Sequence, residues 1–590
     1  MFELSYEKNK NNELFKTSKD IVNVHSIQNY VPIYKKFFSL NEENYNSINL
    51  NEHNPIYSIV EKKGENNYIV TLKNKSVENS FFKFSPLVDP LKYMTGKYNA
   101  TIRETLPKLQ EPTQRNNAID KMYDVNNSAY IDSFFYYLSS QLFHHHNFIH
   151  GIKFYGSFLC VKNDFKLNIY DDSEYLYDST YFNNNKQKLF SVDETNEELF
   201  LKHDTRRNKK KINVAKTLTT KNLSLKSLHD VNDFMFRVEE LGNNNKREDG
   251  EFSVVYEYLN QCKSCKKKEN VSSSESSSQC SSTTDHSNDM DEYIEVNNDE
   301  SHEESDESHE ESDEEGWITG EDDSSIDGSF EDNEMLDATI YKFPVQMICL
   351  EQLENTLDSY IEDKDEDSIE NDEWSSILFQ IIMILHVYQK CFDFTHNDLH
   401  TNNIMYIETN QKFLYYKYKN KIYKVPTYGK IYKIIDFGRS IFSFKNKICM
   451  SDSYHPKGDA ATQYNIPPYF NENKPRIEPN KSFDLCRLGC SLFDYFYNNV
   501  EEADESNDPI GNIINEWCKD YKNKNILYKR NGDERYEDFK LYKMISRTVK
   551  NKEPHNFIER EVFAKYITQK RNFLKKINIM NIDNLPDLTK

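Results

Sequence analysis

The feature that most constrains this chain of 590 residues is a pair of short motifs between Thr395 and Gly438. The first reads His396-Asn397-Asp398-Leu399-His400-Thr401-Asn402-Asn403-Ile404 and the second Ile434-Ile435-Asp436-Phe437-Gly438. Between them Ile431-Tyr432-Lys433 is an alternating β-rich run that leads straight into Asp436. Such a run reads as a short strand feeding a turn. Taken singly, His396 and Phe437 are equally readable as core residues and the carboxylates as turn formers. It is the ordered combination, with a third match at Asp484, that turns these motifs into a site hypothesis.

Composition permits a large core and dismisses a tempting charge argument. Hydrophobic residues make up 37% and aromatic residues 14%, with 40 Tyr and 37 Phe, against a mean hydropathy of -0.84. The length allows about two to four domains. The formal net charge of -23 is local: 23 Asp and Glu, and no Lys or Arg, lie between Asp285 and Glu334. The remainder is neutral, so bulk acidity says nothing about the folded part's ligand, and no nucleic-acid partner is expected. Ten cysteines without a secretory leader at Met1-Phe2-Glu3-Leu4 point to reduced thiols and an intracellular chain. No window reaches the roughly 18 apolar residues of a membrane span. The most apolar stretch, Ile377 to Val387, is broken by Gln380 and His386 and reads as a buried helix, part of a longer one over Trp374–Lys390.

Residues 1–60 carry no interpretable motif and read as an N-terminal extension. Tyr68–Leu72 and Ser80–Phe84 read as strands around a polar turn, with Lys83 alone among aromatics. Ser128–His146 reads as a helix from apolar residues at Ile131, Phe134, Phe135, Leu138 and Leu142. Its His144-His145-His146 end is a poor metal site, because consecutive helical residues point in different directions. Between Ile149–Leu159 and Val345–Leu350 lies the long stretch 165–341. In it Lys202–Lys216 is a basic run, readable as a nuclear signal, an anion patch or a solvated loop. Cys262-Lys263-Ser264-Cys265 lacks the second pair that zinc needs. From Ser272 the sequence is Ser, Asp and Glu, with the near-repeat 301–307 and 308–314, a composition expected to be disordered across 272–335.

The two motifs, followed by Ser482-Phe483-Asp484-Leu485-Cys486-Arg487-Leu488-Gly489, resemble the catalytic loop, metal-binding turn and central helix of the eukaryotic protein kinases. The match looks most like divergent Ser/Thr kinases of large DNA viruses, which share His-x-Asp-Leu-His and the run Gly458-Asp459-Ala460-Ala461-Thr462-Gln463-Tyr464-Asn465. The resemblance implies an α+β bilobal fold: a small β-rich lobe from 61–164 and 342–351, then a hinge and mainly helical lobe over 352–590, with the long acidic insert between. It implies ATP and Mg²⁺ as cofactors, a protein substrate, and Asp398 as acceptor of the hydroxyl proton. Asn403 and Asp436 would bind the metal, as hard cations take oxygen ligands. Lys83 would meet the nucleotide phosphates, with Asp132 in place of the usual helix glutamate. Alternatively Lys83 is a strand-edge lysine and Asp132 a helix-start acid. Leu350 would be the gatekeeper, with the backbone of Glu351 and Leu353 meeting the adenine, and Asp484 would hold the catalytic loop.

Departures from that pattern are specific. Only Gly64 stands where three glycines usually cover the phosphates, so backbone amides of a tighter turn would have to serve. Asn397 replaces the arginine that clamps a phosphorylated segment, His400 replaces a lysine near the γ-phosphate and would make charge stabilisation there weaker or pH-dependent, and Ile466-Pro467-Pro468 replaces Ala-Pro-Glu. Two other readings stand beside the kinase: a small-molecule phosphotransferase, or a binding scaffold whose acidic insert recruits basic partners. No membrane partner is expected; host cytoplasm, nucleus and virion all remain open as locations.

Overall fold

The computed structural model describes residues 3–98, 102, 105–109, 120–170, 172–192, 336–364, 369–537, 539–568 and 578–590. The basic run at 202–216, the Cys262–Cys265 pair and the acidic segment 272–335 lie outside the described residues.

The architecture is mixed α+β and is built around one antiparallel seven-stranded sheet. Its strands are β1 (Val24–Gln28), β2 (Ile56–Lys62), β3 (Asn67–Leu72), β4 (Val77–Pro86), β5 (Phe154–Asn168), β6 (Phe190–Val192) and β7 (Asp337–Glu351). The order is β1-β5-β7-β4-β3-β2, with β6 paired to β7. Alternation makes these strands: in β3, Tyr68, Val70 and Leu72 are buried and the residues between them are not. Against the sheet lies α1 (Ser128–His146), capped by Asn127, whose side chain accepts from the Ala129 amide, and closed by Asn147 in the left-handed region at φ 58. Its buried run from Ala129 to Leu142 makes it an interior helix.

Two boundaries expected from sequence move. The stretch 1–60 is not a separate extension: β1 pairs with β5 at Val24↔Lys162, and β2 starts at Ile56 because Ile56 and Ile59 supply its buried face. The insert is also shorter than 165–341. β5 and β7 continue as a ladder out to Asn168↔Asp337, where Phe165 and Leu167 alternate inward together with Ala338 and Ile340, and 173–192 adds two short helices and β6.

Beyond β7 a second small ladder sets up the site. β8 (Asn355–Thr356), β9 (Ile404–Glu408) and β10 (Lys430–Ile434) pair in that order, with Ile404 opposite Ile434. The Ile435 amide then donates to the Asn403 carbonyl at 2.9 Å, which brings both motifs to one end of the ladder. The longest helix among the described residues, α2 (Asn371–Phe392), is long and apolar enough by composition to cross a membrane, yet 89% of its most apolar window is buried inside the protein. It closes at Asp393, in the left-handed region at φ 52, and hands the chain to the first motif. α3 (Phe483–Phe496) meets this helix through Phe496 on Trp374, ring centroids 5.2 Å apart, and α4 (Phe539–Thr548) packs in turn on α3 through Tyr542 and Phe483.

Candidate active site

Lys83 on β4 is the point at which sheet, helix and loop meet. Its Nζ lies 2.8 Å from Asp132 Oδ2 on α1 and 2.9 Å from Asp436 Oδ1. The same helix face seizes the turn behind Asp436. Asp132 Oδ1 accepts from the Phe437 amide at 2.7 Å, and the Tyr136 hydroxyl, one turn along, accepts from the Asp436 amide at 2.9 Å. Asp436 adopts φ 62, an uncommon conformation for a side chain larger than glycine. With both amides held, Phe437 packs inward on Phe135 and Tyr136, ring centroids 4.6 and 4.9 Å away, while Asp436 points at the lysine.

The charges of this group depend on one another. Burial pushes Asp132 up and Lys83 only partly offsets it, with the Asp436 carboxylate pushing it further. For Asp436 burial acts in the same sense, but Lys83, with smaller help from His396 and the Gly438 amide, holds the carboxyl below its usual range. Lys83 is depressed by burial and raised more by the two carboxylates, so it stays charged.

Asp398 has an unexpected second environment. Its Oδ1 accepts from the Tyr542 hydroxyl of α4 at 2.8 Å, and its Oδ2 lies 4.0 Å from Arg439 Nε. Tyr542 in turn accepts from Arg487 Nε of α3 at 3.0 Å. Burial alone would raise the Asp398 carboxyl, but Arg439, His400 and Arg487 together hold it below the ordinary range. Arg439 is itself buried and reaches Asp459 at 2.5 Å. Asp484 accepts from the amides of His396 and Asn397, at 2.9 Å each, the role the sequence suggested for it.

Asn403 donates through Nδ2 to the Asp398 carbonyl at 2.9 Å and to His400 Nε2 at 3.1 Å, so that only its Oδ1 would be available to a ligand. Among the described residues no cluster of three His, Cys, Asp or Glu could hold a metal. One amide and one carboxylate oxygen at one ladder end suit Mg²⁺, which keeps several waters and takes further oxygens from phosphates. His400 is pushed down to about 4 by burial. A cation there would be desolvated beside Arg487 and His396, so of the two expectations for this position the weaker charge stabilisation is the one the environment favours.

Other expectations are revised by where backbone hydrogen bonds go. The Glu351 amide donates to the Lys153 carbonyl at 3.0 Å, which leaves only its carbonyl for the expected adenine contact. Its buried carboxylate instead pairs with Lys433 Nζ at 2.6 Å, tying the sheet to β10. Leu350 is buried in β7 opposite Phe81 and Phe154, its carbonyl accepting from Ser80 Oγ at 2.7 Å. Leu353 is half-buried in the break between β7 and β8. In the turn joining β2 and β3, the amides of Lys63 and Gly64 both donate to the Asn67 carbonyl, at 2.8 and 3.2 Å. Those two amides close the hairpin and are not free to cradle phosphates. Lys62, Lys63, Lys83 and Lys121 instead line a cavity of about 1300 Å³ beside the turn, whose wall does not include Asp398, Asn403 or Asp436.

Sequence reasoning missed Tyr136, Arg439, Arg487, Tyr542 and Lys433. Arg439 directly follows the second motif and was within reach of a local reading; Tyr542 lies 144 residues from Asp398 and left no local signal. No protein-family model matches this chain, and no curated protein matches it.

Proposed function

We propose that this chain transfers the γ-phosphoryl group of ATP, with Mg²⁺, to Ser or Thr hydroxyls of protein substrates on a bilobal protein-kinase-like fold. The sheet with α1 would form the small lobe and the chain from Asn355 onward the large one. The observation that carries this is Lys83 lying within 3 Å of both Asp132 and Asp436, while Asn403 and Asp398 are delivered to the end of the same ladder as Asp436.

In this reading Asp398, ionised through its cationic neighbours, accepts the acceptor's hydroxyl proton as that oxygen bonds to the γ-phosphorus and the bond to the ADP oxygen breaks. Lys83 meets phosphate oxygens and keeps its anchor on Asp132. Bound through Asn403 and Asp436, Mg²⁺ would neutralise phosphate charge. Asn397 takes the Tyr464 hydroxyl at 2.6 Å, joining the catalytic loop to the 458–465 run without a phosphate, so activity would not wait on phosphorylation of that segment.

A binding scaffold is the second reading, favoured by the spent amides of Lys63 and Gly64. A small-molecule phosphotransferase would share Asp398 and Asn403, but Asp484's grip on the catalytic loop fits the protein kinases better. Labelled γ-phosphate transfer to generic protein acceptors separates them. Loss in both Asp398→Asn and Asp436→Asn supports the kinase. No transfer to protein, together with no ATP-dependent thermal shift, overturns it.

A further inference from the structure

Arg439 stands between two carboxylates and bonds the one that lies outside the catalytic loop. Its Nη2 meets Asp459 Oδ2 at 2.5 Å, while its Nε stops 4.0 Å from Asp398 Oδ2. The first is a charge-assisted hydrogen bond and the second is too long to be one. The closer pair is enclosed, with Arg439 3% and Asp459 7% exposed, and the Arg439 donors Nε and Nη1 find no acceptor among the described residues. Unmet buried donors are unfavourable, so the guanidinium gains by closing on Asp398 wherever its hold on Asp459 is loosened. A shift of about 1 Å brings Nε within hydrogen-bond range.

Both backbones are fixed, which leaves the choice to the guanidinium. The Arg439 carbonyl accepts from the Tyr454 hydroxyl at 2.8 Å and from Asn397 Nδ2 at 3.3 Å. On the other side, the Ala460 amide donates to the Ser453 carbonyl at 2.8 Å and the Gly458 amide to the His455 carbonyl at 2.7 Å, in a turn so close that a Cβ on Gly458 would collide with the Ser453 carbonyl. Asp452, at the start of that turn, accepts from the Ser128 amide of α1 at 2.9 Å and pairs with Lys121 at 3.2 Å. Asp459 is therefore held in place from α1. The two oxygens of Asp398 differ in what they meet: Oδ1 accepts from the Tyr542 hydroxyl, whereas Oδ2 takes no hydrogen bond among the described residues.

We propose that Asp459 is a positioning residue, which holds the Arg439 guanidinium off Asp398 and so keeps Asp398 Oδ2 open to the acceptor's hydroxyl. At 4.0 Å the cation still favours the ionised base without occupying it. This rests on the phosphotransferase reading and names what keeps its base accessible. With Asp459 neutralised, Arg439 closes on Asp398, both carboxylate oxygens then hold donors, and the acceptor's proton has nowhere to go.

The test is steady-state transfer from ATP and Mg²⁺ to histone and to dephosphorylated casein by the full chain, beside thermal melts with and without ATP. In Asp459→Asn, kcat falls by about 100-fold, the scale of a general base's contribution, while KM for ATP stays within about twofold of wild type. Adding Arg439→Gln removes the cation that closes, and kcat returns to within about tenfold of wild type. A merely structural role gives no such recovery, since the second substitution would only add to the damage. Unchanged kcat in a folded Asp459→Asn overturns the positioning role, and so does a double variant that is slower than this or does not fold. If Asp459→Asn alone does not fold, the double variant decides by the same criterion. A wild type that transfers phosphate to neither acceptor nor itself overturns the phosphotransferase reading and this role with it.

Discussion

Tyr542→Phe removes one oxygen atom and two hydrogen bonds at the centre of the site. The hydroxyl donates to Asp398 Oδ1 at 2.8 Å and accepts from Arg487 Nε at 3.0 Å, with Tyr542 and Arg487 each 1% exposed. Deleting it leaves a buried guanidinium N–H without an acceptor on a group whose Nη2 already has none. A buried charged donor left unmet costs about 2–3 kcal/mol, the expected loss in urea unfolding at neutral pH. The effect on activity has a definite sign. Tyr542 is one of the groups holding the Asp398 carboxyl low; that contribution is present above the ordinary carboxylate range and lost as pH falls through the lowered value. Without the hydroxyl the acid limb of kcat/KM moves up, by about one pH unit if the bond contributes about 1.4 kcal/mol. Because the carboxylate loses an orienting donor, kcat falls by about 10- to 100-fold while KM for ATP changes by less than about twofold. The assay is phosphoryl transfer from pH 4 to 8 beside urea melts. An unshifted acid limb with unchanged kcat, in a variant that is nonetheless destabilised, would refute the positioning argument and leave Tyr542 a packing residue.

Three further outcomes follow from the buried charges. Lys83→Met leaves Asp132, 2% exposed, beside Asp436 without their cation, so ATP no longer shifts the melt. Asp132 already titrates above its unfolded value, and this proton uptake favours the native state as pH falls. The variant is therefore destabilised most near pH 8 and least near pH 5, and a pH-independent loss would sink this account. Lys433→Met removes the nearer of two cations from the buried Glu351 carboxylate, leaving the Lys153 amide at 2.9 Å and its Nζ at 3.8 Å, and costs at most about 3–5 kcal/mol in denaturant melts, most of it recovered by adding Glu351→Leu; a cost under about 1 kcal/mol would show the pair to be solvated. His400, titrating near 4, contributes no inflection to kcat/KM between pH 6 and 8, so a step near 6.5 that His400→Asn abolishes would contradict the neutral ring.

The legible part of the site was the part whose chemistry is local. Asp398 and Asn403 sit five residues apart in one motif and Asp436 in another, each announced by its neighbours. Ser128–His146 was readable as a helix to the residue, since apolar spacing over five turns outweighs any local ambiguity. Ladder ends were harder: β5 and β7 run past the expected insert boundaries because Phe165 and Ile340 bury each other's face, a long-range fact written in neither strand alone.

The sequence by itself determined the identities and order of the groups that could do chemistry, because residue type and short spacing fix what atoms are available and which lie on one turn. Only the tertiary structure decided what those atoms meet. Lys83 finds Asp132 across a sheet–helix packing, the Lys63 and Gly64 amides are consumed by Asn67, the Glu351 side chain becomes a buried ion-pair partner of Lys433, and Tyr542 arrives at Asp398 from a helix far along the chain. Charge state and hydrogen-bond commitment depend on burial and on partners distant in sequence, and these exist only once the chain has closed on itself.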